Sequence, residues 1–293
     1  MSMKLGIVTP VLTLLPRAHA RWEETATLAD VVDIVCEAER LGYHHLTCSE
    51  HVAIPSEVAE TRGARYWDPL ATFGYLAART ATIKLATHVL VLGYHHPLEI
   101  AKRYGTLDRV CDGRLVLGVG VGSLAEEFAL LDAPFADRGM RADDAMRALR
   151  AALSQDQPEY HGAFYDFEGF VVDPCAIQER VPLWVGGRTE RSLRRAVELG
   201  DGWAPFGLSS GEIAAMVARA RETEAWSVRA APVEVVLQNE HPLNPIGEPD
   251  RVAEQITRLR DAGATGLNVR FVHRSPTHYR EQLAALVTIV RSP

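Results

Sequence analysis

The chain has 293 residues, 47% of them hydrophobic and 24% charged, a balance that excludes a disordered polymer and fits a folded globular protein. Its formal net charge of -7 argues against a general affinity for nucleic acid or anionic membranes, while leaving room for a local basic pocket around a phosphate. No apolar run approaches the ~20 residues of a membrane helix.

Eight short apolar runs alternate with longer helical patterns. The first, Lys4 to Thr9, starts without a preceding basic region and long apolar stretch, so no signal peptide and a cytoplasmic protein are expected. Helix-period residues from Leu28 to Leu41 stop at Gly42. The second run, His45 to Ser49, passes into Glu50-His51. A long polar loop then leads to Asp68-Pro69, an N-cap and first-turn proline opening a helix to about Thr80. The third run, Ile83 to Leu92, is the most strand-like in the chain, and a helix follows from Pro97 to Cys111. The fourth, Arg114 to Val119, enters a Gly-rich turn and a helical stretch clearest from Arg138 to Leu153.

Residues 155–180 read as an excursion, with short aromatic pieces around glycines as in a small hairpin. Strand patterns then resume at Pro182 to Val185, Gly202 to Ala204, Val233 to Gln238 and Gly266 to Val272. Helices are expected at Glu190 to Leu199, Ser210 to Thr223, Pro249 to Ala262 and His278 to Val290. Strict alternation calls for a parallel sheet covered by helices, and eight units in this length fit a closed (β/α)₈ barrel. No linker or low-complexity tract divides the chain, so residues 1–293 are read as one domain with a small insertion after the fourth unit.

In such barrels function sits at the carboxyl ends of the strands. That rule selects Glu50-His51 after strand two, Tyr94-His95-His96 after strand three, Gly118 to Ser123 after strand four and Gly186-Gly187-Arg188 after strand five. His44 and His45 precede strand two and fall on the opposite, stabilising face. Glu50-His51 is the acid/base candidate, since a carboxylate beside an imidazole can tune proton transfer near neutral pH; a rim hydrogen-bond pair is the alternative. Gly120-Val121-Gly122-Ser123-Leu124-Ala125 matches the dinucleotide fingerprint, but the required acidic strand end ~20 residues on is missing. Gly120 and Gly122 then either admit close approach of a ring or phosphate, or simply pack tightly. At Gly186-Gly187-Arg188 a helix start and a guanidinium suit a phosphate, with a plain turn as the alternative.

His51, His88, His95 and His96 raise the possibility of a metal, but no H-x-H ends strand one and no H-E-x-x-H occurs, so no metal is expected. Cys36, Cys48, Cys111 and Cys175 lack CxxC or finger spacing and are expected as free thiols.

The stretch from Asp68 to Leu131, together with Ser49-Glu50-His51 and Pro182 to Pro205, resembles the luciferase-like monooxygenase superfamily, and within it the actinobacterial F420-dependent oxidoreductases. The resemblance covers most of strands two to six, is only general in the carboxyl-terminal third, and implies a bacterial-luciferase-type barrel, usually dimeric, with a cofactor ring across its mouth. Coenzyme F420 is the implied cofactor, with FMN as the alternative. Glu50 then lies near the deazaflavin ring, His51 handles a proton, and the phosphate sits near Gly186 and Gly187. Thr87-His88-Val89 matches the strand-three bulge behind the ring, with a non-proline cis peptide expected at His88-Val89. Arg62, Arg65 and Arg188 are candidates for the acidic tail of F420. The implied activity is hydride transfer between the deazaflavin C5 and a small organic substrate. Aromatic residues at Tyr66-Trp67, Tyr160 to Phe170 and Phe206 either shape its pocket or anchor loops. An FMN-dependent two-component monooxygenase and a non-catalytic F420- or flavin-binding protein are the competing readings.

Overall fold

The computed structural model describes residues 3–16 and 18–291. Eight strands form the barrel: β1 (Lys4–Val8), β2 (His45–Cys48), β3 (Lys84–Thr87), β4 (Leu115–Gly120), β5 (Leu183–Gly186), β6 (Gly202–Ala204), β7 (Glu234–Gln238) and β8 (Gly266–Val269). Each pairs in parallel with the next, and β8 returns to β1 through Lys4↔Gly266 to Ile7↔Val269. Closure leaves no bare sheet edge. It also buries strands on both faces: β2, β4, β5, β6 and β8 are buried along their whole length.

The helices follow from local chemistry. In α1 (Leu28–Arg40) the buried Val31, Ile34, Val35 and Ala38 recur at helical spacing, and Thr27 and Asp30 cap the start reciprocally. Asp68 Oδ1 accepts the Ala71 amide at 2.8 Å and Pro69 occupies the first turn of α3 (Pro69–Ala77). The polar loop before it holds a short helix, α2 (Ser56–Arg62), that buries no residue and so leaves no periodic apolar signal. The ring continues through α4 (Pro97–Val110), α5 (Ala125–Leu130), α6 (Arg138–Ala152), α7 (Glu190–Leu199), α8 (Ser210–Arg221), the one-turn α9 (Glu224–Ser227), α10 (Pro249–Asp261) and α11 (Pro276–Arg291). The last packs against α1 and closes it. Among the described residues no helix is long and apolar enough to cross a membrane.

Two of the expected strands are modified. The run Ile83 to Leu92 is interrupted: β3 stops at Thr87, the His88–Val89 peptide is cis, and pairing resumes at Leu90–Val91 against Val119 and Gly120. Strand eight ends at Val269, three residues early, because the Arg270 amide leaves the ladder for the Asn239 side chain at 2.8 Å. The excursion is a hairpin, Tyr160–His161 against Asp166–Phe167. Asp144 of α6 holds it through Tyr160 Oη (2.5 Å) and the amides of Phe164 and Tyr165. Buried Asp108 of α4 clamps its return, accepting from the amides of Ile177 and Gln178 at 3.0 Å and from Gln178 Nε2 at 2.7 Å.

At the amino end of β2, His45 is fully buried against the edge of the Trp184 ring, with Nε2 2.5 Å from Asn268 Oδ1. Burial drives its pKa down to about 3, so this histidine is a neutral part of the barrel floor. The four cysteines are free thiols.

Candidate active site

At the carboxyl ends of the strands the barrel opens into a cavity of about 830 Å³. Of the residues singled out from sequence, Glu50, His51, His88, Val89, Gly120, Gly122, Gly186, Gly187 and Arg188 line it, as does Arg62. Thr87 does not. It is buried beneath, where its hydroxyl donates to the Gly118 carbonyl at 2.7 Å. Arg65 also lies outside, spent on the carbonyls of Glu23 and Glu24.

The Ser49-Glu50-His51 segment divides its labour. Ser49 Oγ donates to the His88 carbonyl at 2.8 Å, and the Glu50 amide to the Val89 carbonyl at 3.3 Å, which pins both sides of the interrupted strand. The Glu50 carboxylate is buried and accepts from the Val91 amide and from His95 Nε2, each at 2.7 Å. Burial alone would lower the pKa of His95, but the hydrogen bond and charge of Glu50 outweigh it and hold the ring above its ordinary value. Glu50 is therefore not the partner of its sequence neighbour.

The partner of His51 is Glu127, in the first turn of α5. Its Oε2 accepts from His51 Nδ1 at 2.7 Å and from Tyr94 Oη at 2.6 Å, and its Oε1 from the amides of Val52 and Ala53 at 2.6 and 3.2 Å. Burial pushes the Glu127 carboxyl up, but the hydrogen bonds from Tyr94, His51 and Ala53 win and hold it below its usual range. An ionised carboxylate can only accept, so Nδ1 carries the proton. Nε2 has no partner among the described residues, and the ring lies 4.5 Å from the Tyr66 ring in an edge-on contact. Sequence reading missed Glu127: it is one of two adjacent acids at a helix start, and nothing local tells the buried one from the exposed one.

The remaining histidines do not converge. His96 caps α4, its Nδ1 accepting the Leu98 amide at 3.2 Å, and its ring meets Tyr165. His88 stays at the cavity wall with Nε2 buried and unpartnered; burial lowers its pKa to about 4, so it is neutral.

Val89 explains two glycines. A Cβ on Gly120 or on Gly186 would come within 2.6 Å of a Val89 methyl, so the side chain of Val89 fills the space that β4 and β5 leave open. Gly187 has φ +132°, outside the range of ordinary side chains, and turns the chain into α7. Thr189 caps that helix, accepting the Ser192 amide at 3.3 Å while Ser192 Oγ accepts the Thr189 amide at 3.2 Å. Arg188 and Arg191, both exposed, flank this helix start at the cavity and pair with no described residue.

Residues 3–241 match the family model described as luciferase-like monooxygenase. An uncharacterised protein of Mycobacterium tuberculosis is 28% identical over 246 residues, 80% of this chain and 82% of its own. The F420-dependent glucose-6-phosphate dehydrogenase of Nocardia farcinica is 29% identical over 179 residues, 59% of this chain and 52% of its own. Among solved structures, the coenzyme F420 dependent tetrahydromethanopterin reductase of Methanopyrus kandleri superposes with a TM-score of 0.76 at 15% identity, covering 98% of each chain. The oxygenating constituent of 3,6-diketocamphane monooxygenase from Pseudomonas putida, in complex with FMN, gives 0.74 at 16% identity, covering 99% of this chain and 98% of that one. The two solved structures share the closed barrel found here, and the family match spans most of the chain. The protein belongs to the luciferase-like monooxygenase family.

Proposed function

We propose that the protein is an F420-dependent oxidoreductase, moving a hydride between the deazaflavin C5 and a small organic substrate while His51 exchanges the accompanying proton. The observation that carries this reading is the His51–Glu127 pair at the cavity wall: an imidazole with one nitrogen fixed by a charged carboxylate and the other free. The cavity suits a flat cofactor plus a small molecule. His88, whose Nε2 is buried without a partner among the described residues, packs at its wall. The start of α7, with Arg188 and Arg191, suits the cofactor phosphate.

When bound, the deazaflavin supplies a two-electron hydride donor or acceptor. The chain's own part is to hold that ring beside Val89 and Glu50, to exclude water, and to take at His51 Nε2 the proton that leaves the substrate with the hydride, or to return it in the reverse direction. A cytoplasmic homodimer is included in the proposal and is checked by light scattering and fractionation.

Titration of the purified protein with F420 and with FMN, followed by absorbance and fluorescence, is the test. Tight binding of F420 is expected, with turnover lost in His51→Asn. Binding of FMN alone would replace this reading with the two-component monooxygenase that the FMN-bound relative supports. Binding of F420 with no redox turnover of any compound, and a silent His51→Asn, would make the protein a carrier.

A further inference from the structure

Immediately after β8 the backbone of Arg270 is held from both sides by the buried side chain of Asn239. Oδ1 accepts the Arg270 amide at 2.8 Å and Nδ2 donates to the Arg270 carbonyl at 3.1 Å. The Leu243 amide adds a third bond, to the same carbonyl, at 2.8 Å. Such a clamp fixes the point from which the side chain departs, which lowers the ordering cost of any contact its tip makes.

The guanidinium lines the cavity and pairs with no described residue, and its Nε is buried without a partner. Arg150 Nε is likewise buried without a partner, but Arg114, Arg150 and Arg195 each have a counter-charge or carbonyls on their guanidinium nitrogens, and the Arg270 guanidinium has neither among the described residues. Arg114 donates to the carbonyls of Cys111, Ile83, Ala77 and Thr80 and to Thr80 Oγ1. Arg150 is met by Asp201 and Arg195 by Asp143. Arg270 has no carboxylate close enough to offset its burial, which lowers its pKa from the ordinary value. Glu23 shares the cavity wall, but its oxygens are committed to the amides of Val11 and Ala20, with His273 3.5 Å away. Gln238, at the end of the adjacent strand β7, lines the same cavity with its amide unpartnered among the described residues. Phe271 and Tyr279 supply apolar surface nearby.

A guanidinium that has lost part of its hydration and met no counter-charge gains most from an oxyanion that can take two parallel N–H donors. We propose that Arg270, with Gln238 on the neighbouring strand, is the recognition site for a carboxylate or phosphate group of the substrate, which makes the substrate an organic anion. This deepens the proposed function, because the bearer of that anion is the compound oxidised or reduced; the cofactor phosphate belongs to the start of α7.

The test is calorimetric titration of the full chain, alone and saturated with F420, using benzoate, inorganic phosphate and the neutral benzamide as probes. Wild type, Arg270→Met, Arg270→Gln and Arg188→Met are compared, with thermal melting as the check on folding, and the Gln variant stands in if the Met variant fails to fold. At least one of the two anions is expected to bind wild type in preference to benzamide. Loss of the charge at position 270 should weaken that anion about 10- to 100-fold while leaving F420 affinity unchanged, and Arg188→Met should do the reverse. Benzoate and phosphate report separately on the two oxyanion types. No anion binding to wild type, anion affinity indifferent to Arg270, or an equal loss of F420 affinity in Arg270→Met each overturns the proposal. If wild type ignores F420 yet binds an anion through Arg270, the cofactor reading falls and the anion site stands.

Discussion

Glu127 accepts from an imidazole, a phenol and two amides at once, and a carboxylate so surrounded resists protonation. Its folded pKa is depressed, so its stabilising contribution is present above the ordinary carboxyl range and lost only as pH falls through the lowered value. At neutral pH it therefore keeps His51 in one tautomer. Glu127→Gln offers an amide that can present either a donor or an acceptor to Nδ1, and turnover should fall about 100-fold with F420 affinity retained. Steady-state kinetics beside a cofactor titration separates the two, and an equal loss in both would make Glu127 merely structural. Tyr94→Phe removes one of the donors and should cost less, about 10-fold in kcat. Neither this carboxylate nor Arg270 was legible in the sequence. Glu127 meets His51 across 76 positions, and contacts of that range leave no periodic trace.

Among the elements, legibility followed the source of the signal. The strands and the long helices are written by alternation, caps and proline placement, which act within a few residues. The short α2 and α9 bury nothing and escaped notice, and strand eight was drawn too long because the side chain that ends it sits on β7's loop. The hairpin excursion was anticipated from its aromatic and glycine pieces, but its anchors were not. Asp108 is fully buried with three hydrogen bonds to the returning segment. Asp108→Ala should destabilise the fold by about 2–4 kcal/mol and open residues 170–181 to limited proteolysis; urea unfolding and digestion read the two effects separately.

For the molecule as a whole, burial keeps several imidazoles neutral: His45 has a pKa near about 3, and His44, His88 and His273 near about 4. Unfolding returns each to its ordinary value of 6.5 and takes up protons below it, so stability is complete above pH 6.5 and declines as pH falls toward the lowered values. Each such proton contributes a slope of about 1.4 kcal/mol per pH unit. Urea titrations at pH 7 and pH 5 should show the loss, with His45→Asn less stable at pH 7 but taking up about one proton fewer. Saturation with a ligand at 100 times its Kd should add about 2.7 kcal/mol, visible as a rise in Tm. The Val89 methyls that occupy the space of Gly120 and Gly186 carry a different kind of consequence. Strands three, four and five share one packing solution at the mouth, so they can be exchanged with a relative only as a block. A chimera that imports β4 or β5 alone, with an alanine in place of either glycine, should misassemble, and trimming Val89 to alanine in the same chain should restore it.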